Sequence, residues 1–163
     1  MVVNETHTFR GTWLMYAILM LEMPTLILML VLWQTGHLGD DGPIAVAVIA
    51  VIMTAGFMLI MNIKLELRLD RYGLAFRNSP FLNGWKKFSA DQILEAKIKK
   101  TDGMFEYGGI GLRMGRKFRA YIFMADYILE IQTSKRKYAF SLKDPVLAEE
   151  LLSEWKVQTS IDS

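Results

Sequence analysis

Residues 12–34 read TWLMYAILMLEMPTLILMLVLWQ, and residues 43–63 read PIAVAVIAVIMTAGFMLIMNI. Together the two runs contain one charged side chain, Glu22. A helix rises about 1.5 Å per residue, so about 20 apolar residues cross a hydrocarbon core that is roughly 30 Å thick. Both runs reach that length. They predict a two-helix transmembrane hairpin over residues 12–63, with a loop at residues 35–42.

The charges that flank the hairpin predict its orientation. The loop has no Lys or Arg, whereas Arg10 precedes the first run. Four basic residues follow the second run closely: Lys64, Arg68, Arg71 and Arg77. Cytoplasmic segments next to membrane spans are enriched in Lys and Arg. We therefore expect an inner (plasma) membrane protein with both termini in the cytoplasm, in which residues 1–11 are an N-terminal tail.

Polar and small residues inside the hairpin predict a specific way of packing. Glu22 lies about ten residues, or roughly 15 Å, into the first run, close to the bilayer midplane. The candidate intramembrane packing residues are Glu22, Pro24, Ala47, Ala50 and Thr54, because Pro24 frees a backbone carbonyl and the other three form a small-residue face. Glu22 is either a proton or ion relay or a buried hydrogen-bonding group. The second interpretation is favoured, because one carboxyl without a partner cation makes a poor transporter.

The pattern changes after the hairpin from continuous apolar runs to short alternating segments. Alternation of apolar and polar residues indicates half-buried strands. Seven such segments follow one another at residues 64–70, 73–78, 85–88, 93–99, 119–124, 127–133 and 138–142. Short strands joined by turns in this way predict an antiparallel barrel or sandwich.

A helix is predicted after the last of these strands. Asp144 is a good N-cap residue and Pro145 suits the first helical position. Leu147, Leu151 and Trp155 then recur on one face and predict an apolar stripe that packs on the sheet. The expected fold class is an α+β membrane protein, with a cytoplasmic domain at residues 64–157 and a tail at residues 158–163.

This order of elements resembles the pleckstrin-homology fold, in which a C-terminal helix plugs one end of a bent seven-stranded antiparallel barrel. The segments that carry the resemblance are LRLDRYGLAFRN (67–78), FSADQILEAKI (88–98) and YGGIGLRMGRKFRAY (107–121). The chain is also similar to bacterial pleckstrin-homology-like domains that follow short membrane hairpins. The resemblance implies an architecture and a binding role without a catalytic activity.

Basic residues cluster in the predicted turns of this domain. Residues 64–163 hold 18 basic and 13 acidic side chains, a net charge of +5. The candidate lipid or partner contacts are Arg113, Arg116, Lys117, Arg119, Lys135, Arg136 and Lys137. Anionic headgroups attract a juxtamembrane Lys or Arg by about 1 kcal/mol each. A solvated surface that follows the positive-inside bias explains the same residues equally well. Interspersed acidic residues disfavour nucleic acid as a partner.

Catalytic and cofactor sites are not predicted. The chain has no Cys, and its two histidines, His7 and His37, lie apart from each other and from any acidic cluster. The glycine-rich segment at residues 108–113 lacks the following helix that a dinucleotide-binding loop requires. We therefore expect no enzyme activity, no metal and no cofactor.

Two functions from different classes fit these observations. The first is a non-enzymatic, membrane-anchored binding or scaffold module that presents its domain at the cytoplasmic face to lipid, to a protein or to a second copy. The alternative is a small accessory or regulatory subunit of an inner-membrane transport or secretion complex. In that case Glu22 and the small-residue face of the second span contact partner helices.

Overall fold

A computed structural model describes residues 2–100 and 109–161, with side chains described as far as Trp155. The fold is mixed α+β and divides into two compact units, residues 1–8 with 64–163, and residues 9–63. The helices are α1 (Trp13–Gln34), α2 (Gly42–Met61) and α3 (Pro145–Ile161), and a 3₁₀ turn covers Ala90–Gln92. The strands are β1 (Val2–Thr8), β2 (Lys64–Asp70), β3 (Gly73–Ser79), β4 (Leu82–Ser89), β5 (Ile93–Lys100), β6 (Gly111–Met114), β7 (Phe118–Ile122), β8 (Tyr127–Thr133) and β9 (Lys137–Leu142).

The helical unit consists of α1 and α2, which are long and apolar enough to cross a membrane. Their 22 and 20 residues correspond to about 33 and 30 Å of helix. No residue of α1 is buried. Arg10 ties the two ends of the unit together, because its Nε donates to the Met61 carbonyl at 3.0 Å and its Nη2 donates to Asn62 Oδ1 at 2.7 Å. A guanidinium at this position also suits the negative end of the α2 dipole.

The first sheet has the strand order β1-β2-β3-β4, and all its pairs are antiparallel. Its inner face carries Leu65, Leu67, Leu69 and Phe76, all at most 1% exposed. The strand β1 differs from the sequence-based expectation, in which residues 1–11 form a tail. Val2–Thr8 pair with β2 along their whole length, and Thr8 lies opposite Lys64. The two helices are therefore inserted between two neighbouring strands of one sheet.

The second sheet has the order β5-β8-β9-β7-β6. The expectation of an entirely antiparallel arrangement is wrong at one pair, because β7 and β9 run parallel, with Phe118 opposite Lys137 and Tyr121 opposite Phe140. The short strand β6 lies at one edge of this sheet, in a glycine-dense stretch that none of the seven predicted strands covers. With β1, it raises the number of strands in the described residues from the expected seven to nine.

Aromatic side chains fill the space between the two sheets. The ring centroids of Phe76 and Phe140 are 4.7 Å apart, and those of Phe88 and Tyr138 are 5.0 Å apart. The ring of Tyr121 stacks on that of Phe140 at 5.4 Å with an interplanar angle of 8°. Stacked and tilted pairs at these distances stabilise a core beyond their buried area alone.

The helix α3 begins where the sequence predicts. The Leu147 amide donates to Asp144 Oδ1 at 3.2 Å, which is an N-terminal cap, and Pro145 is the first helical residue. Leu151 and Trp155 are buried, and Trp155 Nε1 donates to the Asp70 carbonyl at 2.8 Å. The helix continues to Ile161, so residues 158–161, expected as a tail, are helical.

Candidate functional site: a basic groove

A groove of about 810 Å³ opens in the strand unit beside β4 and the turns before β7 and β9. Five cations line it, Lys86, Lys87, Arg116, Lys135 and Arg136, and we call it the basic groove. Asp91 is the only acidic side chain among the described residues that line it. Within those described residues, none of the five cations forms an ion pair with a carboxylate. The groove therefore presents a net positive charge.

The parallel pairing of β7 and β9 brings the two basic turns together. Because Phe118 at the start of β7 lies opposite Lys137 at the start of β9, the turns that precede these strands are neighbours. The Lys137 amide donates to the Lys117 carbonyl at 3.0 Å and joins one turn to the other. Arg116 from the first turn and Lys135 from the second therefore line the same groove.

Hydrogen bonds within each turn hold the backbone that carries these cations. In the turn between β8 and β9, Thr133 Oγ1 donates to the Arg136 carbonyl at 2.8 Å, and the Thr133 amide donates to the same carbonyl at 2.9 Å. In the turn between β6 and β7, the Gly115 amide donates to the Phe118 carbonyl at 2.8 Å. The backbone of both turns is therefore already ordered before a ligand binds, which lowers the entropic cost of binding.

Lys86 enters the groove from the opposite sheet. It lies opposite Phe76 in the strand register and is half-buried, so it faces the core side of β4 rather than solvent. Its Nζ donates to the Tyr138 hydroxyl at 2.8 Å and lies 5.0 Å and 5.3 Å from the ring centroids of Tyr138 and Phe88. Aromatic faces attract a cation without neutralising it. Lys86 is thus held in position by aromatic groups rather than by a carboxylate among the described residues.

Arg119 is a second inward-facing cation close to this region. It lies opposite Tyr138 in the parallel register, and its half-buried side chain shares a face of β7 with Tyr121. Its Nε is buried and has no hydrogen-bond partner in the part of the chain that the structure describes. Burial raises the pKa of the Tyr121 phenol, against the effect of the neighbouring Arg119 guanidinium, so Tyr121 stays protonated at neutral pH. Arg119 does not line the basic groove itself.

The other predicted contact residues are placed elsewhere. Lys137 Nζ lies 2.7 Å from Glu130 Oε2, in an ion pair with a carboxylate that is largely buried. Arg113 is exposed on the edge strand β6. Lys117 is also exposed, and its carbonyl accepts the hydrogen bond from the neighbouring turn. Three of the seven predicted residues therefore line the groove, Arg116, Lys135 and Arg136.

Sequence reasoning missed Lys86 and Lys87. Both lie in a segment that was correctly interpreted as a strand, but they stand far along the chain from the other basic clusters. The alternation of β4 contains a signal for Lys86. This lysine is two residues before Phe88 and therefore lies on the same, core-facing side of the strand, where a charged group requires a polar or aromatic partner. Its partner Tyr138 is 52 residues away.

The predicted packing residues of the hairpin differ in burial. Glu22 and Ala50 are half-buried, whereas Pro24, Ala47 and Thr54 are exposed. Among the described residues the Glu22 carboxyl has no hydrogen-bond partner. Ala50 and Thr54 line a shallow groove of about 370 Å³ on α2.

No group of three or more His, Asp or Glu side chains within the described residues could hold a metal ion. The chain matches no protein-family model, no curated protein and no solved structure.

Proposed function

We propose that the protein is a non-enzymatic, membrane-anchored binding module. In this proposal α1 and α2 span the inner membrane of a bacterium, and the strand unit is a pleckstrin-homology-like domain on the cytoplasmic side. Its basic groove binds the anionic headgroups of membrane lipids. The observation that carries the proposal is the convergence of five cations from three separate segments on one groove without carboxylate partners in the described residues.

The membrane placement is supported by the surface of the two helices. Met20 and Leu21 of α1 are 80% and 75% exposed, and Val51 of α2 is 68% exposed. Apolar side chains continue along both helices, and a continuous apolar surface of this size needs a cover. Lipid covers it if the helices span a bilayer.

The strength of the expected binding follows from the number of cations. Each Lys or Arg near an anionic bilayer contributes about 1 kcal/mol, which is roughly fivefold in affinity. Several cations acting together give binding that weakens steeply with salt, because exposed charges are screened over about 10 Å at 0.1 M ionic strength.

The test places a reporter inside the groove of the full-length chain. Because the protein has no Cys, Ser134→Cys can carry a single environment-sensitive dye next to Lys135. The protein is reconstituted in nanodiscs of zwitterionic lipid or of lipid with an increasing fraction of phosphatidylglycerol. We expect the dye emission to shift with the anionic fraction and to return at high salt.

Charge reversal shows whether the groove is responsible. In the labelled protein, Lys135→Glu combined with Arg136→Glu should abolish the response. Lys97→Glu is the matched control, because Lys97 is exposed, pairs with Glu95 and lies outside the groove. A response to glycerol phosphate in solution would identify a soluble anion as the ligand. Equal responses in the groove and control variants would refute the assignment.

The alternative, an accessory subunit of a transport or secretion complex, is favoured by one observation. The groove on α2 is lined by Ala50, Val51, Thr54, Ala55 and Met58, where small side chains allow a second helix to approach closely. A stoichiometric integral-membrane partner that co-purifies in mild detergent, and is lost in Ala50→Leu, would support it.

A further inference from the structure

A second groove, of about 340 Å³, lies within the strand unit between β5 and α3, and we call it the β5–α3 groove. Its apolar lining comes from Ala90, Ile93, Leu94, Ala96, Leu152 and Trp155. Two charged residues in its wall, Glu95 and Lys97, pair with each other and so add no net charge. The indole nitrogen of Trp155 donates to the Asp70 carbonyl at 2.8 Å, so the polar atom of this side chain is already satisfied. The groove therefore offers a mainly hydrophobic surface.

The β5–α3 groove adjoins the basic groove at Leu94. Both Leu94 and Asp91 line the two grooves. A β-bulge explains the position of Leu94, because β5 gains one residue over β8 between Ile93 and Glu95. The Leu94 side chain is 68% exposed at this junction. One continuous surface of the strand unit therefore passes from a group of five cations to a group of apolar side chains.

Adjoining cationic and apolar grooves suit an amphiphile with one anionic head and one hydrocarbon chain. Phosphate suits the basic groove, because Lys and Arg donate charge-assisted hydrogen bonds to its oxygens. A chain suits the β5–α3 groove, because the burial of each CH₂ group strengthens binding roughly fourfold. A volume of about 340 Å³ is small for a ligand pocket and favours one chain over a pair. A single chain also holds an amphiphile only weakly in a bilayer, so such a ligand can move to a protein.

We propose that the strand unit binds an anionic lipid with a single chain, with the phosphate in the basic groove and the chain in the β5–α3 groove. Lysophospholipids and monoalkyl phosphates have this chemistry. The inference rests on the proposed function, because it specifies the ligand of the same basic groove. It adds a property that the cations alone do not determine, which is that the protein recognises the chain of the lipid as well as its headgroup.

Three soluble compounds test the inference on the full-length protein: octyl phosphate, glycerol phosphate and octylphosphocholine. The protein carries the dye at Ser134→Cys and is held in a non-ionic amphipol, so that no bilayer supplies charge. We expect octyl phosphate to shift the dye emission at a concentration at least about tenfold lower than glycerol phosphate, since the burial of two CH₂ groups is enough for this difference. Octylphosphocholine has the chain but no net charge, and it should not shift the emission in the same range.

Ala96→Phe separates the contribution of the chain from that of the phosphate. Ala96 is a half-buried strand residue that lines the β5–α3 groove but not the basic groove, so an added ring fills only the former. The variant should remove most of the advantage of octyl phosphate and leave the response to glycerol phosphate unchanged. Ala75→Phe is the matched control, because Ala75 is also half-buried in a strand and lines neither groove. Leu94→Ser, at an exposed position, repeats the measurement in case Ala96→Phe disturbs the fold.

The remaining outcomes separate this inference from the proposed function. Equal effective concentrations of octyl phosphate and glycerol phosphate would refute chain binding alone and leave the basic groove as a site for a soluble anion. An advantage of octyl phosphate that persists in both Ala96→Phe and Leu94→Ser would also refute it, because the chain would then lie elsewhere. An equal shift with octylphosphocholine would show that the ligand needs no net charge. No response to these compounds or to phosphatidylglycerol nanodiscs would refute both the inference and the proposed function, whereas a response to the nanodiscs alone would refute only the inference.

Discussion

The carboxylate of Glu5 is held by three groups that come from two distant parts of the chain. Its Oε2 lies 2.9 Å from His7 Nε2, and it accepts from the backbone amides of Lys143 and Asp144 at 2.8 Å each. Burial acts to raise the pKa of Glu5, but the bonds from His7, Asp144 and Lys143 outweigh it, so the pKa lies below its ordinary value. Glu5 thereby joins β1 to the start of α3.

We expect Glu5→Gln to lower the free energy of unfolding at neutral pH by about 1–3 kcal/mol, because hydrogen bonds to a charged group are lost. Since the pKa is depressed in the folded protein, the stabilisation is complete above the unfolded-chain value near 4.5. It is lost as the pH falls through the folded-state value. The difference in thermal midpoint between wild type and Glu5→Gln should therefore shrink as the pH is lowered from 7 to about 3.5.

Glu95→Gln is the control for this experiment. The pKa of Glu95 is also lowered, by its bond and attraction to Lys97, but both groups are exposed and solvent screens the pair. Its midpoint should follow that of wild type at every pH. A Glu5→Gln protein that keeps a constant difference at all pH values would show that packing, not charge, explains its effect.

At the scale of elements, the sequence predicts strands well where their inner positions are apolar. It misses β1, because the inward positions of that strand are Val3, Glu5 and His7, and only the first is hydrophobic. Glu5 and His7 can be buried because the Glu5 carboxylate accepts hydrogen bonds from the backbone amides of Lys143 and Asp144. These donors lie almost the whole length of the chain away, so a local sequence pattern does not reveal them. The parallel pairing of β7 and β9 was missed for the same reason, because a local pattern does not specify a non-local neighbour.

The turn between β2 and β3 gives a prediction at this scale. Gly73 has a φ of +146°, which L-residues with a side chain rarely adopt, and an added Cβ would collide with the Phe88 carbonyl oxygen. Gly73→Ala should therefore destabilise the strand unit by at least about 2 kcal/mol. Gly84→Ala in β4, where no atom of the described residues lies within 4 Å of an added Cβ, should stay within about 0.5 kcal/mol of wild type in the same thermal unfolding assay. Equal effects of the two substitutions would contradict this account.

At the scale of the whole molecule, the helical unit is an insertion into a sheet rather than a leader in front of a domain. The strand unit comprises residues 1–8 and 64–163. The strand β1 can therefore pair with β2 only after the ribosome has synthesised the helical hairpin between them. Thr8 and Lys64 are register partners at the point of insertion. An antiparallel pair that ends in this way can be closed by two turn residues, and Asn-Gly has the backbone preference that such a turn needs.

We therefore expect a variant in which Asn-Gly replaces residues 9–63 to be soluble without detergent and to unfold in one cooperative transition. The matched comparison is a fragment that starts at Lys64. That fragment loses Val3, the Glu5 contacts and every hydrogen bond between β1 and β2, and it leaves β2 as an unprotected edge. It should aggregate, or unfold with a free energy lower by at least about 3 kcal/mol. Sedimentation and thermal unfolding of the two proteins distinguish these outcomes, and a fragment as stable as the closed variant would show that β1 is dispensable to the strand unit.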